Sequence, residues 1–401
     1  MRICGIIAEY NPFHLGHAFH LSETRRRLGA DTVLVCAMSG NYVQRGDFAL
    51  MDKYDRAAMA AECGADLVAE LPLSAALSSA EGFARGGAAL LAALGCRWLS
   101  FGAECADTAL LQRAAALRSG EGIRPALAEA LRAGLSYPAA MQQAMGRLDP
   151  QAAALLSAPN NTLGIAYCAA IRQTGMELLA IPRAGAAHDS ANPEGGFASA
   201  SCLRAKICAG DGTWAAWVPE ATKTRISAAL REGRAPLRLR NCDSALLAHL
   251  RRMDAAALRP FASTKDGFAC RLARAVQEGN TFEEVCALAQ TRRFPLARIR
   301  RTLLRAYLGL PESCPAEPQY IRVLALGGRG AEVLRGAALP VIVKPAAERK
   351  LPETLQTALR RDALSDALYA LAAPTPAQRS AQARWRRTPF VRKERRTVTS
   401  V

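Results

Sequence analysis

Three of the chain's five histidines, His14, His17 and His20, fall within EYNPFHLGHAFH, directly after the apolar run RICGIIA. Where a buried strand gives way to a helix, an H-x-G-H set suits phosphate chemistry. Gly16 permits close approach to the backbone. His14 and His17, three apart on one helical face, can donate hydrogen bonds to phosphoryl oxygens as charge builds during displacement at an α-phosphate. Two other readings stand beside this one: imidazoles that cap a helix, and a zinc site, although H-x-x-H lacks the H-E-x-x-H spacing and offers only His20 as a third ligand. A second segment, ASASCLR, sets Ser199 and Ser201 ahead of Leu203 and Arg204, and KICAG closes the expected helix with glycine. Hydroxyls, helix N–H groups and a guanidinium together fit the β- and γ-phosphates of a leaving pyrophosphate. Taken alone, ASASCLR is an ordinary serine N-cap, so the chemical reading rests on the two segments acting together.

Such side chains need a scaffold that brings distant segments to one edge. Up to about residue 210, the runs GIIA, TVLVCAM, DLVAELP, RWLSF and MELLAIP alternate with helical patterns. This rhythm predicts an α/β fold, a Rossmann-like doubly wound parallel sheet. In that fold ligands bind at the carboxyl ends of the strands, where the histidine cluster and ASASCLR would lie. Residues 107–150 are alanine-rich and helical and read as an insertion. From residue 216, segments such as ATKTRISAALREG and ARIRRTLLRAYLGL predict a mainly α-helical C-terminal domain, with a strand or two near 320–345 in YIRVLALGGRG and LPVIVKPA. The expected division is a catalytic domain over 1–215, a helical domain over 216–373, and a flexible basic tail over 374–401.

The formal charge of +17, from 52 Lys and Arg against 35 Asp and Glu, favours a polyanionic partner such as RNA. A lineage bias toward arginine and alanine codons gives the same composition. The 12 cysteines never form C-x-x-C pairs and read as reduced core residues. With neither a secretory signal nor a long charge-free apolar stretch in the sequence, a cytoplasmic protein without membrane association is the expectation.

Other segments carry chemistry less directly. In MSGNYVQRGD, Gln44, Arg45 and Gly46 would line the same cleft and Asn41 would approach an acyl group or a target base; the alternative for Arg45 is a surface pair with Asp47 or Asp52. His188 and Asp189 are adjacent, cannot easily orient one another, and are expected to support ASAS. TRRFPLARIRR offers Arg292, Arg293, Arg298, Arg300 and Arg301 on an amphipathic helix, one face to the core and one to RNA phosphates. Trp385 and Phe390 in the tail would stack on exposed bases.

GIIAEYNPFHLGHAFHL, MSGNYVQRGDFALMDKYDRAAMA, DLVAELP, FGAE, PNNTLGIAY, ASASCLR, DGFACRLARAV and YIRVLALGGRG together resemble the tRNA(Met) cytidine acetate ligase family of the H-x-G-H nucleotidylyltransferase superfamily. The resemblance implies that ATP and acetate form acetyl-adenylate with release of pyrophosphate. The acetyl group then passes to N4 of the wobble cytidine of elongator tRNA(Met), giving N4-acetylcytidine. By motif, ATP would be bound by Ile7, Ala8, Glu9, Tyr10, Asn11, Pro12, Phe13, His14, Leu15, Gly16, His17, Ala18, Phe19 and His20, with Gly102, Asn160 or Asn161, and Arg183. We assign His14 and His17 to the α-phosphate, and Arg204 with Ser199 and Ser201 to the pyrophosphate side; Mg2+ is expected with the ATP, and no carboxylate cluster identifies its ligands. Where the family carries a KTKRYT-like stretch this chain has AQTRRFP, an exchange that preserves a phosphate contact better than a base contact. Two other functions remain open: a small-molecule adenylyltransferase of the phosphopantetheine or mononucleotide type, and a catalytically silent tRNA-binding protein.

Overall fold

Alternate residues of the buried strands face opposite sides of one sheet. Val33, Val35 and Ala37 join one core cluster with Leu67, Leu99 and Phe101, while Leu34, Cys36 and Met38 join another with Cys4, Ile6 and Val68. Strands covered on both faces in this way read as unbroken apolar runs. The structure is a computed structural model and describes residues 1–183, 196–262, 267–344, 348, 351–382 and 386–393.

In chain order the strands are β1 (Ile3–Ala8), β2 (Val33–Ser39), β3 (Tyr42–Val43), β4 (Asp47–Phe48), β5 (Leu67–Leu71), β6 (Trp98–Ala103), β7 (Glu177–Pro182), β8 (Ile321–Leu326), β9 (Val341–Ile342) and β10 (Phe390–Val391). The main sheet runs β10-β8-β5-β2-β1-β6-β7, with β9 on β8, and β3 and β4 form a separate hairpin. From β5 to β7 all neighbours are parallel. Because β1 is central, with β2 and β5 on one side and β6 and β7 on the other, the strand order reverses at β1 and β6, which is where such sheets open a ligand crevice. The expected doubly wound fold is therefore the observed one.

Three differences from expectation arise in the C-terminal half. Strand β8 is not part of a separate domain: it adds antiparallel to β5, so the boundary at 215 does not divide the sheet from the C-terminal residues. Residues 386–393 of the expected tail are folded back, since β10 pairs with β8 and Arg387 reaches Asp52 at 2.9 Å and Asp55 at 3.0 Å. Phe390 accordingly lies in the sheet with the Arg225 guanidinium 4.7 Å from its ring centre, not open to a base. Trp385 lies outside the described residues.

The insertion helices Thr108–Ser119, Arg124–Arg132 and Tyr137–Leu148 extend the first core cluster through Leu111 and Met141, joined by Ile123 from the turn between the first two. A third cluster holds the helical half together around Leu246, Phe268, Phe282 and Leu303, and includes Tyr42 and Phe48 of the β3–β4 hairpin. The hairpin thus belongs to both halves: it leaves the sheet after β2 and buries its rings among the C-terminal helices, where the Tyr42 hydroxyl donates to the Ser365 carbonyl at 2.8 Å.

Candidate active site

The loop after β1 is fixed from beneath by a guanidinium that sequence reasoning passed over. Arg56, on the helix Lys53–Glu62 and 0% exposed, donates to the carbonyls of Met51 and Ser39 at 3.0 and 3.1 Å and to those of Glu9 and Gly40. One buried cation therefore ties together the carboxyl ends of β1 and β2, and its burial is tolerable because carbonyl oxygens satisfy it. Beside it, Lys53 meets Glu70 and Asp366, each at 2.8 Å. Nothing in the spacing of the DKYDRAAM segment tells that Lys53 and Arg56 point inward.

Within the loop, Tyr10, Asn11 and Phe13 are buried. The Asn11 side-chain oxygen accepts from the Leu50 N–H at 2.8 Å. The Tyr10 and Phe13 rings stand 4.8 and 5.5 Å from the His17 ring and wall it from behind. His14 caps the helix Leu15–Leu28: its Nδ1 accepts from the Gly16 N–H at 3.1 Å, and His17 Nδ1 accepts from the His14 N–H at 3.3 Å. The rings stack 3.7 Å apart. With both Nδ1 atoms serving as acceptors, the neutral imidazoles carry their protons on Nε2. The capping reading and the phosphate reading are thus compatible, because capping fixes the tautomer that leaves Nε2–H as donor.

His20 is set apart from that pair. Its Nε2 lies 2.9 Å from Ser100 Oγ, Thr24 Oγ1 donates to the His20 carbonyl at 2.8 Å, and Thr24 and Ser100 hydroxyls are 2.9 Å apart. Since the Thr24 proton is committed to the carbonyl, Ser100 donates to Thr24 and His20 Nε2–H donates to Ser100. Burial, then the nearby Arg183 charge, hold the His20 imidazole down at about 4, so it is neutral at pH 7. A base whose folded pKa lies below its unfolded value of about 6.5 leaves the unfolded state binding more protons between those limits, so stability is complete above about pH 6.5 and is lost as pH falls toward 4. Thermal denaturation at pH 7 and pH 4.5 should show a smaller acid loss in His20→Gln than in wild type, by up to a few kcal/mol at about 1.4 kcal/mol per pKa unit; equal losses would remove His20 as the cause.

The ASASCLR segment reaches this edge. Ser199 caps the helix Ala200–Ala209 by accepting from the Cys202 N–H at 3.1 Å, with Ser201 Oγ 3.0 Å from its hydroxyl. Phe197, just before the cap, sits with its ring 5.9 Å from that of Phe19. Arg204 closes the link: its Nη1 donates to the Asn11 carbonyl at 2.9 Å. Across the switch point, Gly102 lies next to the end of β6 with the Arg183 side chain against it, and Arg183 extends β7 through its N–H to the Ala103 carbonyl at 3.0 Å. Of the two asparagines, Asn161 is buried and its side-chain oxygen accepts from the Cys105 N–H at 2.9 Å, whereas half-buried Asn160 donates to Glu104 at 2.5 Å. Both asparagines are thus tied to the segment after β6, where Glu104 of FGAE also accepts from the Asn161 N–H at 3.0 Å. Ile7 and Ala8 end β1, and Leu15 and Ala18 lie in the first turn of the helix Leu15–Leu28. His188 and Asp189 lie outside the described residues.

The MSGNYVQRGD loop also borders the crevice. The Gln44 N–H donates to Glu9 at 2.7 Å, and burial raises the Glu9 carboxyl against the opposing pull of the Gln44 N–H and of Arg204, Arg56 and Arg45. Asn41 does not open to an acyl group; it is buried, donating to Asp366 at 2.8 Å and accepting from the Lys53 N–H at 2.9 Å. Asp47 pairs with Arg300 at 3.4 Å.

That pairing revises the arginine helix Leu296–Tyr307. Arg300 also meets Glu283, and Arg301 donates to the Gln44 carbonyl at 3.1 Å, so these two face the MSGNYVQRGD loop. Arg292 and Arg293 are exposed, and half-buried Arg298 lies 4.6 Å from the Phe268 ring centre. Among the described residues no group of three His, Cys, Asp or Glu could hold a metal ion, and no helix is long and apolar enough to cross a membrane. A cavity of about 60 Å3 at the carboxyl end of β5, lined by Glu70, Tyr320, Arg322, Arg361 and Asp362 among others, is too small for a nucleoside triphosphate.

A doubly wound sheet whose H-x-G-H loop meets a serine-arginine helix across the switch point defines a nucleotidyl transferase, and the family model for the HIGH nucleotidyl transferases matches residues 1–384. Within that class the chain belongs to the tRNA(Met) cytidine acetate ligase family. The tRNA(Met) cytidine acetate ligase of Acetivibrio thermocellus is 33% identical, over 95% of this chain and 97% of its own, and that of Syntrophotalea carbinolica 39% identical, over 84% and 82%. Crystal structures of Thermotoga maritima TmcAL, one apo and one bound with alpha-thio ATP, are similar with a TM-score of 0.89 at 27% identity, covering 98% of this chain and 99% of theirs.

Proposed function

We propose that the chain joins acetate to ATP and passes the acetyl group to the N4 amine of the wobble cytidine of elongator tRNA(Met). A carboxylate oxygen of acetate attacks the α-phosphorus, the bond to the β-phosphate oxygen breaks, and pyrophosphate leaves with that electron pair. The cytidine amine then attacks the acetyl carbonyl carbon of acetyl-adenylate, AMP leaves, and the amine loses a proton to give N4-acetylcytidine.

Both partners in the first step are anions, so the site must neutralise charge and align atoms; acetate needs no base. The Nε2–H groups of His14 and His17 meet the α-phosphate oxygens, while Arg204 and the positive end of the helix Ala200–Ala209 hold the departing half. The described residues supply no protein cage for magnesium, so an accompanying ion would be held by phosphate and water, and no step is routed through it. Arg292, Arg293 and Arg298 take RNA phosphates. The observation that carries this reading is the Arg204 to Asn11 hydrogen bond with the two locked imidazoles beside it, which brings both sequence signatures to one crevice.

The test is ATP–pyrophosphate exchange with and without acetate, followed by nucleoside analysis of added tRNA. Exchange that requires acetate, and N4-acetylcytidine in the RNA, are expected. Exchange driven instead by a phosphate monoester would establish the small-molecule adenylyltransferase, and RNA binding without exchange the silent protein.

A further inference from the structure

Arg301 sits in a run of arginines suited to RNA, yet its side chain points at the protein's own active-site border. Its Nη1 donates to the Gln44 carbonyl at 3.1 Å; the N–H of the same residue, Gln44, donates to the Glu9 carboxylate at 2.7 Å. A single peptide residue thus links the arginine helix to the loop that carries the H-x-G-H motif. The loop is pressed onto the helix: Gly46 has φ +75°, and a Cβ there would stand 2.7 Å from the Arg301 nitrogen and 2.6 Å from Arg300 Cβ, so only glycine fits without displacement. Arg300 to Asp47 at 3.4 Å adds a second tie to the loop, and Arg305 fixes the same helix to the segment after β5, donating to the Ser74 carbonyl at 3.2 Å. Burial, with Arg298 and Arg305 nearby, holds the Arg301 guanidinium down at about 10, the setting of a group committed to protein.

We propose that Arg301 is a positioning residue for adenylate formation, holding Gln44 so that its N–H fixes the Glu9 side chain beside the H-x-G-H loop. The inference rests on the function proposed above. The charges of Arg204, Arg56 and Arg45 act on Glu9. A carboxylate released from Gln44 competes with phosphate oxygens for the Arg204 guanidinium, so the loss falls on the step in which pyrophosphate departs and not on ATP binding as such. The C-terminal half is therefore needed by the first half-reaction, before any RNA arrives.

Arg301→Met keeps the packed stem and removes the donor. In acetate-dependent ATP–pyrophosphate exchange without RNA, kcat should fall about tenfold, with KM for ATP changed less than about threefold and Arg301→Lys restoring most of the rate. Gly46→Ala, which dislodges the loop while leaving Arg301 in place, should give the same loss and serves where Arg301→Met melts below the assay temperature. In a Glu9→Gln background, which lacks the competing charge, Arg301→Met should cost little more, a non-additive cycle. Unchanged RNA-free kcat in folded Arg301→Met and Gly46→Ala, or losses that multiply with Glu9→Gln, would overturn the proposal while leaving the ligase reading intact. Wild-type protein without acetate-dependent exchange would instead remove the ligase reading, and this proposal with it.

Discussion

Replacing His17 by alanine should lower acetate-dependent ATP–pyrophosphate exchange by about 10² to 10³, the cost of removing one preorganised donor from a developing phosphoryl charge. His17 also supports the start of its helix, so the loss has to be separated from a capping defect. An N-terminal cap is worth about 1 kcal/mol, whereas a loss of 10² to 10³ is about 2.7–4 kcal/mol on the barrier; the larger figure cannot come from a frayed first turn. His17 caps through Nδ1, and His17→Asn offers a short side chain that can still accept there while lacking the distal Nε2–H. That variant should fold like wild type and remain as inactive as alanine. Because the arginines exposed at 292 and 293 belong to the other half of the chain, binding of tRNA measured by filter retention should stay within about twofold in both variants. A proportional loss of exchange and RNA affinity would contradict the division of labour.

The second large effect belongs to Arg204. Its half-buried guanidinium is less favourably charged than usual because of desolvation, with Glu9 and Asp47 opposing, and it spends one N–H on the Asn11 carbonyl at 2.9 Å. Arg204→Met removes both the charge offered to pyrophosphate and the tie between the two signature segments. Exchange should fall by about 10², in keeping with the loss of one electrostatic donor, and stability by about 1–3 kcal/mol for the carbonyl left unpaired in a buried setting. Arg204→Lys should recover the stability more fully than the rate, since an ammonium can meet one carbonyl but cannot also present a planar fork to phosphate. Equal recovery of rate and melting temperature would mean that Arg204 acts only as a tie.

The sheet was legible because β1, β2, β5 and β6 are largely buried on both faces and therefore appear as continuous apolar runs, while the edge strand β7 keeps an apolar run of its own in MELLAIP. β8 was legible as a strand in YIRVLAL but not in its pairing, because antiparallel addition to β5 is decided by contacts far apart in sequence. β10, of two residues, has no periodicity to read, and its anchor is the Arg387 contact with Asp52 and Asp55, more than three hundred positions away. In the site, H-x-G-H and ASASCLR were readable since chemistry there demands particular residue types at fixed local spacing. Arg56 and Lys53 were not, because a sequence does not distinguish a guanidinium in solvent from one satisfied by four carbonyls. The same ambiguity assigned Arg300 and Arg301 to RNA: an amphipathic pattern tells which helical face is charged, not whether that face meets solvent, phosphate or the protein's own loop.

The central claim is that two segments nearly two hundred residues apart grip one triphosphate. Its most direct test is a crystal structure of this chain with a non-hydrolysable ATP analogue. The expected result is α-phosphate oxygens within hydrogen-bond reach of His14 and His17 Nε2, and the β- and γ-phosphates at Ser201 and Arg204 before the helix Ala200–Ala209. A nucleotide lodged elsewhere, or a triphosphate turned so that Arg204 and the imidazoles touch no phosphate, would contradict it.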